Sequence, residues 1–243
     1  MPSFADATSK IDRANKHIRD IEGRIIGLED SYSAVIDIHP KFGYKCIKYD
    51  LTDKTAVNDI SLLIGDALHN LKCALDYGWL MALERHAPGA IGPKTQFPTH
   101  RSRDALKAAL EKAKIETLCP RLFDLMLTKI QAYDGGNNAV WAVKELNILD
   151  KHRLLLPLIG YTSIVGLEME DDGGRPVPGF AGATWETPPL YIRIPDGWHV
   201  KKKGKPSIQL LFDEGHSAQY LNVPSFLEMY SIMVLQVVET LKT

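Results

Sequence analysis

One stretch of this chain constrains the fold more than any other. From Ile60 to Leu83 nearly every position is apolar, and Lys72 is the only lysine or arginine. At 3.6 residues per turn the pattern predicts a helix with apolar groups on almost every side, which belongs at the centre of a packed domain. Polar groups are set into it as Gly65-Asp66-Ala67-Leu68-His69-Asn70-Leu71-Lys72-Cys73-Ala74-Leu75-Asp76. At roughly 100° per residue, Ile60, Ile64, Ala67, Leu71, Leu75, Gly78 and Ala82 form one face, and Leu62, Asp66, His69, Cys73, Asp76 and Leu80 lie roughly opposite. Carboxylates, amides and imidazoles are costly to bury without partners, so Asp66, His69 and Asp76 are expected to look into a common neighbour.

A second cluster, Leu146-Asn147-Ile148-Leu149-Asp150-Lys151-His152-Arg153, closes a later amphipathic segment. Ala139, Ala142, Val143, Leu146 and Leu149 make its apolar stripe. Asp150 sits at the stripe's edge, with Asn147 a turn earlier and Lys151 beside it, while His152 and Arg153 point to other sides. The expectation is that the two helices lie together and turn Asp66, His69, Asn70 and Asp76 toward Asn147 and Asp150 in one buried polar centre.

The remaining chain reads as helices with a few strands. Residues from about Ala5 to Glu29 carry a narrow seam of Ile11, Ala14, Ile18, Ile21, Ile25 and Leu28, fit for packing inside the monomer or for a homodimer through this first helix. Val35 to Ile38 and Tyr44 to Tyr49, around the His39–Gly43 turn, predict a β-hairpin. Asn58 or Asp59 is placed as cap of the central helix, which runs to about Arg85 before Pro88 and Gly89. Further helices are expected from about Ser102 to Lys114, from Pro120 to about Gln131, and from Asn137 or Asn138 to about Leu156. Tyr161–Met169, Leu190–Ile194 and Ser207–Phe212 are strand candidates, with a long irregular loop from Asp171 to Pro189. Pro224 opens a last helix with a core stripe of Phe226, Met229, Tyr230, Met233 and Val237. The fold class is therefore α+β: one domain over 1–243, a bundle of about five or six helices from about 5–30, 58–157 and 224–242, with a small antiparallel sheet from about 32–51 and 160–213.

Composition narrows the function classes. The chain has 243 residues, 45% hydrophobic and 24% charged, with a net charge of −1, so no global field steers it to nucleic acid or an anionic membrane. Three cysteines, Cys46, Cys73 and Cys119, supply neither a zinc signature nor a disulfide framework and suit a reducing, cytoplasmic compartment. The amino terminus lacks the order of a signal peptide, and no apolar run approaches the ~20 residues of a membrane span.

Three chemistries fit the two clusters. One is a satisfied buried network that fixes helix register, with His69 donating to Asp150 and Arg153 or Lys151 neutralising Asp66 or Asp76. A divalent metal between facing helices is the second, yet the paired Glu-x-x-His of such bundles is missing and Asp66-x-x-His69 occurs once, so no metal ligands are assigned. The third is acid–base or nucleotide chemistry with His69 and Asp150 as catalytic candidates, and Asp66, Asn70, Asp76, Asn147, Lys151, His152 and Arg153 as ligand-binding candidates. His152 is an alternative proton carrier there, and Lys151 or Arg153 would hold phosphate. A small ligand, a nucleotide or RNA would each suit such a site; the cofactor is unknown.

Lys201-Lys202-Lys203-Gly204-Lys205 follows Trp198 and His199 and reads as a solvated hairpin tip, with phosphate gripping as the alternative. His100-Arg101-Ser102-Arg103 reads as a polar loop with Ser102 as cap. Cys73, between leucines at a helix centre, reads as inert packing. No dinucleotide, Walker-type, zincin or hydrolase-elbow motif occurs.

The string Gly-Asp-x-x-His-Asn-Leu-Lys-x-Ala-Leu-Asp at Gly65–Asp76, Leu-Asn-x-x-Asp-Lys-His-Arg at Leu146–Arg153, and Phe97-Pro98 between them resemble the motifs of a family of small bacterial proteins of unassigned activity. More distantly the arrangement is similar to HEPN domains, helical bundles of toxins, defence proteins and RNA-processing factors. That likeness implies a helical bundle and, as one alternative, a nucleotide- or RNA-directed hydrolase. The HEPN ribonuclease signature places Arg four to six residues before His on one helix. His69 and His152 have no such Arg, and Arg193 with His199 fall in a predicted strand-and-turn region; no catalytic residue is carried over from that family.

Overall fold

The computed structural model describes residues 3–53, 55–92, 95–155, 157–177, 189–213, 215 and 217–243. Helix α1 (Phe4–Asp30) starts at a capping box in which the Ser3 side chain accepts from the Asp6 amide and Asp6 returns a bond to the Ser3 amide. Its seam is buried at Ala7, Ile11, Ala14, Ile18, Ile21 and Leu28. Those residues face α2 (Thr55–His86) and α7 (Val223–Lys242), so the stripe that could have served a dimer is used inside the chain.

Helix α2 is the axis of the bundle. It packs against α1, α6 (Asn138–His152) and α7. The helix begins three residues before the expected cap, because the Asp53 carboxylate accepts the Thr55 amide and hydroxyl at 2.9 and 2.6 Å. Asp59, offered as a cap, instead pairs with Arg24 of α1 at 3.3 Å. Gly78 admits Val238 and Leu241 of α7 to 3.3 and 3.4 Å of where a Cβ would stand. Helix α7 buries Phe226, Leu227, Tyr230, Ser231, Val234, Val237, Val238 and Leu241. Met229, expected in its core stripe, is exposed; the buried stripe turns through Leu227 and Val234 instead.

Between α2 and α6 run α3 (Arg103–Lys112), capped by Ser102, then the short helices α4 (Ile115–Leu118) and α5 (Pro120–Leu125). The expected single helix to Gln131 changes to a wider π turn over Met126–Ile130 and stops where Gln131 adopts φ +54°. Asn137 caps α6 by accepting the Val140 amide, and the helix ends at His152, earlier than the expected Leu156, which lies outside the described residues.

Two small antiparallel sheets cover one end of the bundle. The first has the order β1–β2–β5, from β1 (Tyr32–Ile38), β2 (Lys45–Leu51) and β5 (Leu190–Arg193). The second has the order β4–β3–β6, from β3 (Leu158–Asp171), β4 (Pro176–Val177) and β6 (Trp198–Leu211). The irregular loop expected over Asp171–Pro189 contains β4, and its residues 178–188 lie outside the described residues. A fold that is mainly a helical bundle with small antiparallel sheets is thus α+β.

The basic run is not a hairpin tip. It lies within β6, where Lys201 and Lys202 pair with Glu170 and Glu168 of β3 at 2.7 and 2.5 Å. Lys205 pairs with Asp30 of α1 at 2.7 Å, and Lys203 donates to the Ala34 carbonyl at 2.9 Å. Gly204, read as a turn residue, faces Gly166 across the β3–β6 ladder, and both have positive φ. No helix among the described residues is long and apolar enough to cross a membrane.

The sheets are tied together by the buried Tyr49 phenol, which donates to the Lys203 carbonyl and whose pKa burial pushes up to about 12. Tyr49→Phe is expected to lose about 0.5–1.5 kcal/mol in urea denaturation. Gly204→Ala should lose more: its φ is +68° and a Cβ would come within 2.7 Å of the Leu167 amide nitrogen and the Val165 carbonyl. Equal losses for the two variants would contradict this account of the β3–β6 ribbon.

Candidate functional site

The two polar clusters do meet, at the crossing of α2 and α6. Gly65 makes the crossing close: a Cβ there would stand 2.4 Å from Asp150 Oδ2 and 2.7 Å from Oδ1. Asp150 is half-buried, and its Oδ1 is shielded from solvent without a hydrogen-bond partner. Burial holds its carboxyl above the usual carboxylate range. The Leu155 amide opposes that shift, Asp66 adds to it and His69 opposes it. Asp66, His69 and Asp150 are therefore within electrostatic reach of one another.

The buried centre expected from the sequence is nevertheless not what the helices build. Asp66 and His69 are exposed, Asp76 and Asp150 are half-buried, and only Asn70 and Asn147 are buried. The wheel placed Asp66, His69 and Cys73 correctly on one side of α2. That side, however, faces water: α6 lies along the Gly65 edge, α1 along the Asn70 edge and α7 behind. A helix apolar nearly all round is here covered on three sides, with Leu62 exposed at one end of the open strip.

Within the strip, His69 Nε2 lies 3.4 Å from Cys73 Sγ, one helical turn away. Burial pushes the Cys73 thiol up; Lys10 of α1, Lys72 and Lys151 of α6 pull it down, and Asp76 adds to the rise. Lysines thus flank the strip from both neighbouring helices. No local sequence signal links Lys10 of α1 to residue 73.

Asn70 belongs to the opposite edge. Its Nδ2 donates to the Asp66 carbonyl at 2.7 Å. It also lines a depression of about 600 Å³ between α1 and α2, with Asp6, Ser9, Lys10, Arg13, Tyr77 and Leu80. Lys10 and Arg13 are one turn apart on α1, and Tyr77 is two turns beyond Asn70. That spacing is the only sequence signal that could have pointed to the groove.

Asp76 is held by structure. Its Oδ1 accepts from Lys72 Nζ at 2.5 Å and from the Phe97 amide at 2.8 Å. Phe97 in turn packs edge-on against Trp79, with ring centroids 6.2 Å apart. Lys144 donates to the Thr99 carbonyl at 2.5 Å, so both central helices grip the Phe97–Thr99 segment. Burial, with Lys72 and Arg101 nearby, lowers the Lys144 pKa.

Among the other candidates, Asn147 is buried while Lys151, His152 and Arg153 are exposed. Lys151 reaches the electrostatic neighbourhood of Cys73, whereas helical geometry turns His152 roughly 200° from Asp150. Arg193 and His199, whose spacing matched the HEPN signature, stand on strands of different sheets, and His199 contacts Asp172 at 2.9 Å. No three His, Cys, Asp or Glu side chains among the described residues group to hold a metal ion. The cysteines are all free.

Comparison with protein-family models, with curated proteins and with solved structures gave no match.

Asp76→Ala strands the Phe97 amide and the Lys72 ammonium and should lower stability by about 1–3 kcal/mol. Asp150 behaves oppositely. Its folded-state pKa is raised, so the native chain binds its proton more tightly than the unfolded chain, and stability falls as pH rises through the folded-state pKa. Asp150→Asn removes that penalty. The variant should melt no lower than the parent at neutral pH, and any advantage should shrink toward about pH 4, near the unfolded carboxylate value. A loss of several degrees at pH 7 would instead mark Asp150 as a structural partner.

Proposed function

We propose that the open strip of α2, with the α1–α2 groove beside it, binds a small phosphate-bearing ligand of the nucleotide class, and that His69 and Asp150 handle its protons. The observation that carries this reading is the state of Asp150. A carboxylate laid on a glycine, partly desolvated, with one oxygen unpartnered and an exposed imidazole close by, is poorly explained by stability alone. Native proteins tend to keep such destabilising groups where function needs them.

The anionic character of the ligand is supported by Lys10 and Arg13 in the groove and by Lys151 on the far bank. Tyr77 offers a ring, with Lys10 Nζ 6.0 Å from its centroid. Asn70 stands at the junction of groove and strip and offers an amide for orientation. A hydrolytic reading is favoured by the same carboxylate, since a group whose pKa lies above the usual range is suited to give a proton to a leaving oxygen while His69 takes one from water.

The motif resemblance supports the same placement, because its two segments are the ones that flank the strip. Membership of that bacterial family, with a distant likeness to HEPN bundles, is part of the proposal. RNA cleavage by an Arg–His pair is not.

Calorimetric titration with AMP, ADP, ATP, GMP and inorganic phosphate tests the reading. Saturable binding by at least one nucleotide is expected, weakened about tenfold or more in a Lys10→Gln, Arg13→Gln double variant. Gly65→Ala keeps a residue suited to a helix interior but forces the Asp150 carboxylate out of its place, and it should lose any turnover. If no phosphate compound binds, and His69→Ala and Asp150→Asn change only the melting temperature, the proposal fails.

A further inference from the structure

A second recess, lined by no residue of α2, lies where the two sheets meet. Its volume is about 400 Å³, inside the range of small-molecule sites. Tyr191 and Arg193 stand two residues apart on β5, the unpaired edge of the first sheet, and so share a face. Trp198 comes from the start of β6 in the second sheet, and the floor is Met169 and Ile192, both buried. Tyr44, just before β2, completes the wall.

The aromatic wall is fixed before any ligand arrives. His39 packs against Tyr44 and Tyr191, with centroids 4.8 and 4.6 Å apart. The His39 ring is itself anchored, because Nδ1 faces the amides of Lys41 and Phe42, each at 3.2 Å. Rings held in this way lose little freedom when a flat molecule slides between them.

The single charge among the described residues lining the recess is the informative group. The Arg193 guanidinium lies 5.4 Å from the Tyr44 ring centroid and is exposed. Among the described residues no carboxylate pairs with it, whereas Lys48, Lys201, Lys202 and Lys205 of the same sheets each have an acidic partner. A stacked guanidinium with its N–H edges open to solvent is a receptor for a carboxylate, sulfonate or phosphate.

We propose that this recess binds a planar aromatic small molecule carrying one anionic group. The ring lies among Tyr44, Tyr191 and Trp198 over the apolar floor, and the anion meets Arg193. The site is independent of the α2 strip and shares no residue with it.

Matched probes separate the two halves of the claim. Indole-3-carboxylate and anthranilate would be titrated against the full chain by saturation-transfer NMR and calorimetry, beside the neutral indole-3-carboxamide. Saturable binding of a carboxylate is expected, with the carboxamide about tenfold weaker. Arg193→Gln should bring the carboxylate down to the carboxamide level, and Lys112→Gln, an exposed charge on α3, should change nothing. Because Arg193 is exposed, its replacement should leave the far-ultraviolet spectrum and melting temperature intact. Absence of saturable binding by either carboxylate overturns the proposal. So does equal binding of acid and amide by the parent, or a carboxylate affinity that Arg193→Gln leaves unchanged.

Discussion

The packing of α2 against three other helices is the constraint on which the rest of the molecule depends. Its apolar surface is too wide to be covered by one neighbour, so α1, α6 and α7 each take a side. Two glycines set how near they come. Gly78 lets α7 side chains approach the α2 backbone, and Gly65 does the same for the carboxylate of Asp150. These three neighbours leave the side bearing Leu62, Asp66 and His69 exposed. The strip bearing Asp66, His69 and Cys73 is that remainder.

The strip and its banks divide the polar residues by task. Asp76, Lys72 and Lys144 fasten the Phe97–Thr99 segment to the bundle with short bonds. Asn15 and Ser231 join α1 to α7 at 2.6 Å. Asp150 has no comparable set of partners: burial keeps its proton affinity high, and the nearby Asp66 and His69 pull in opposite directions. Among the described residues His17 Nδ1, His86 Nε2, Thr99 Oγ1 and Asp150 Oδ1 are buried without a hydrogen-bond partner, and of these Asp150 is the carboxylate beside the open strip.

Much of the local structure was legible because it depends on near neighbours in sequence. The alternation around His39–Gly43 gave the β1–β2 hairpin, Ser102, Asn137 and Pro224 marked helix starts, and the seam of α1 gave its buried face. Failures came where a distant strand or helix decided the outcome. Lys201–Lys205 resembled a turn because Gly204 suggests one, yet β3 supplies a full ladder and two glutamates that hold the run extended. Met229 fell at core spacing on α7, but that side of the helix is exposed among the described residues. Lys10, Arg13 and Tyr77 were missed because only the crossing of α1 with α2 makes them neighbours.

The amino-acid order by itself determined which residues share each side of α2 and α6, since a rotation of about 100° per residue is a local property of the backbone. It therefore fixed that Asp66, His69 and Cys73 stand together and that His152 stands apart from Asp150. The order could not determine which sides would be covered. That was decided by the angles and distances at which α1, α6 and α7 close on α2, and these come from burial of apolar surface summed over the whole bundle. Tertiary packing thus turned an expected interior cluster into a solvent-facing strip, leaving Asn70 and Asn147 inside and Asp150 at the boundary between core and water.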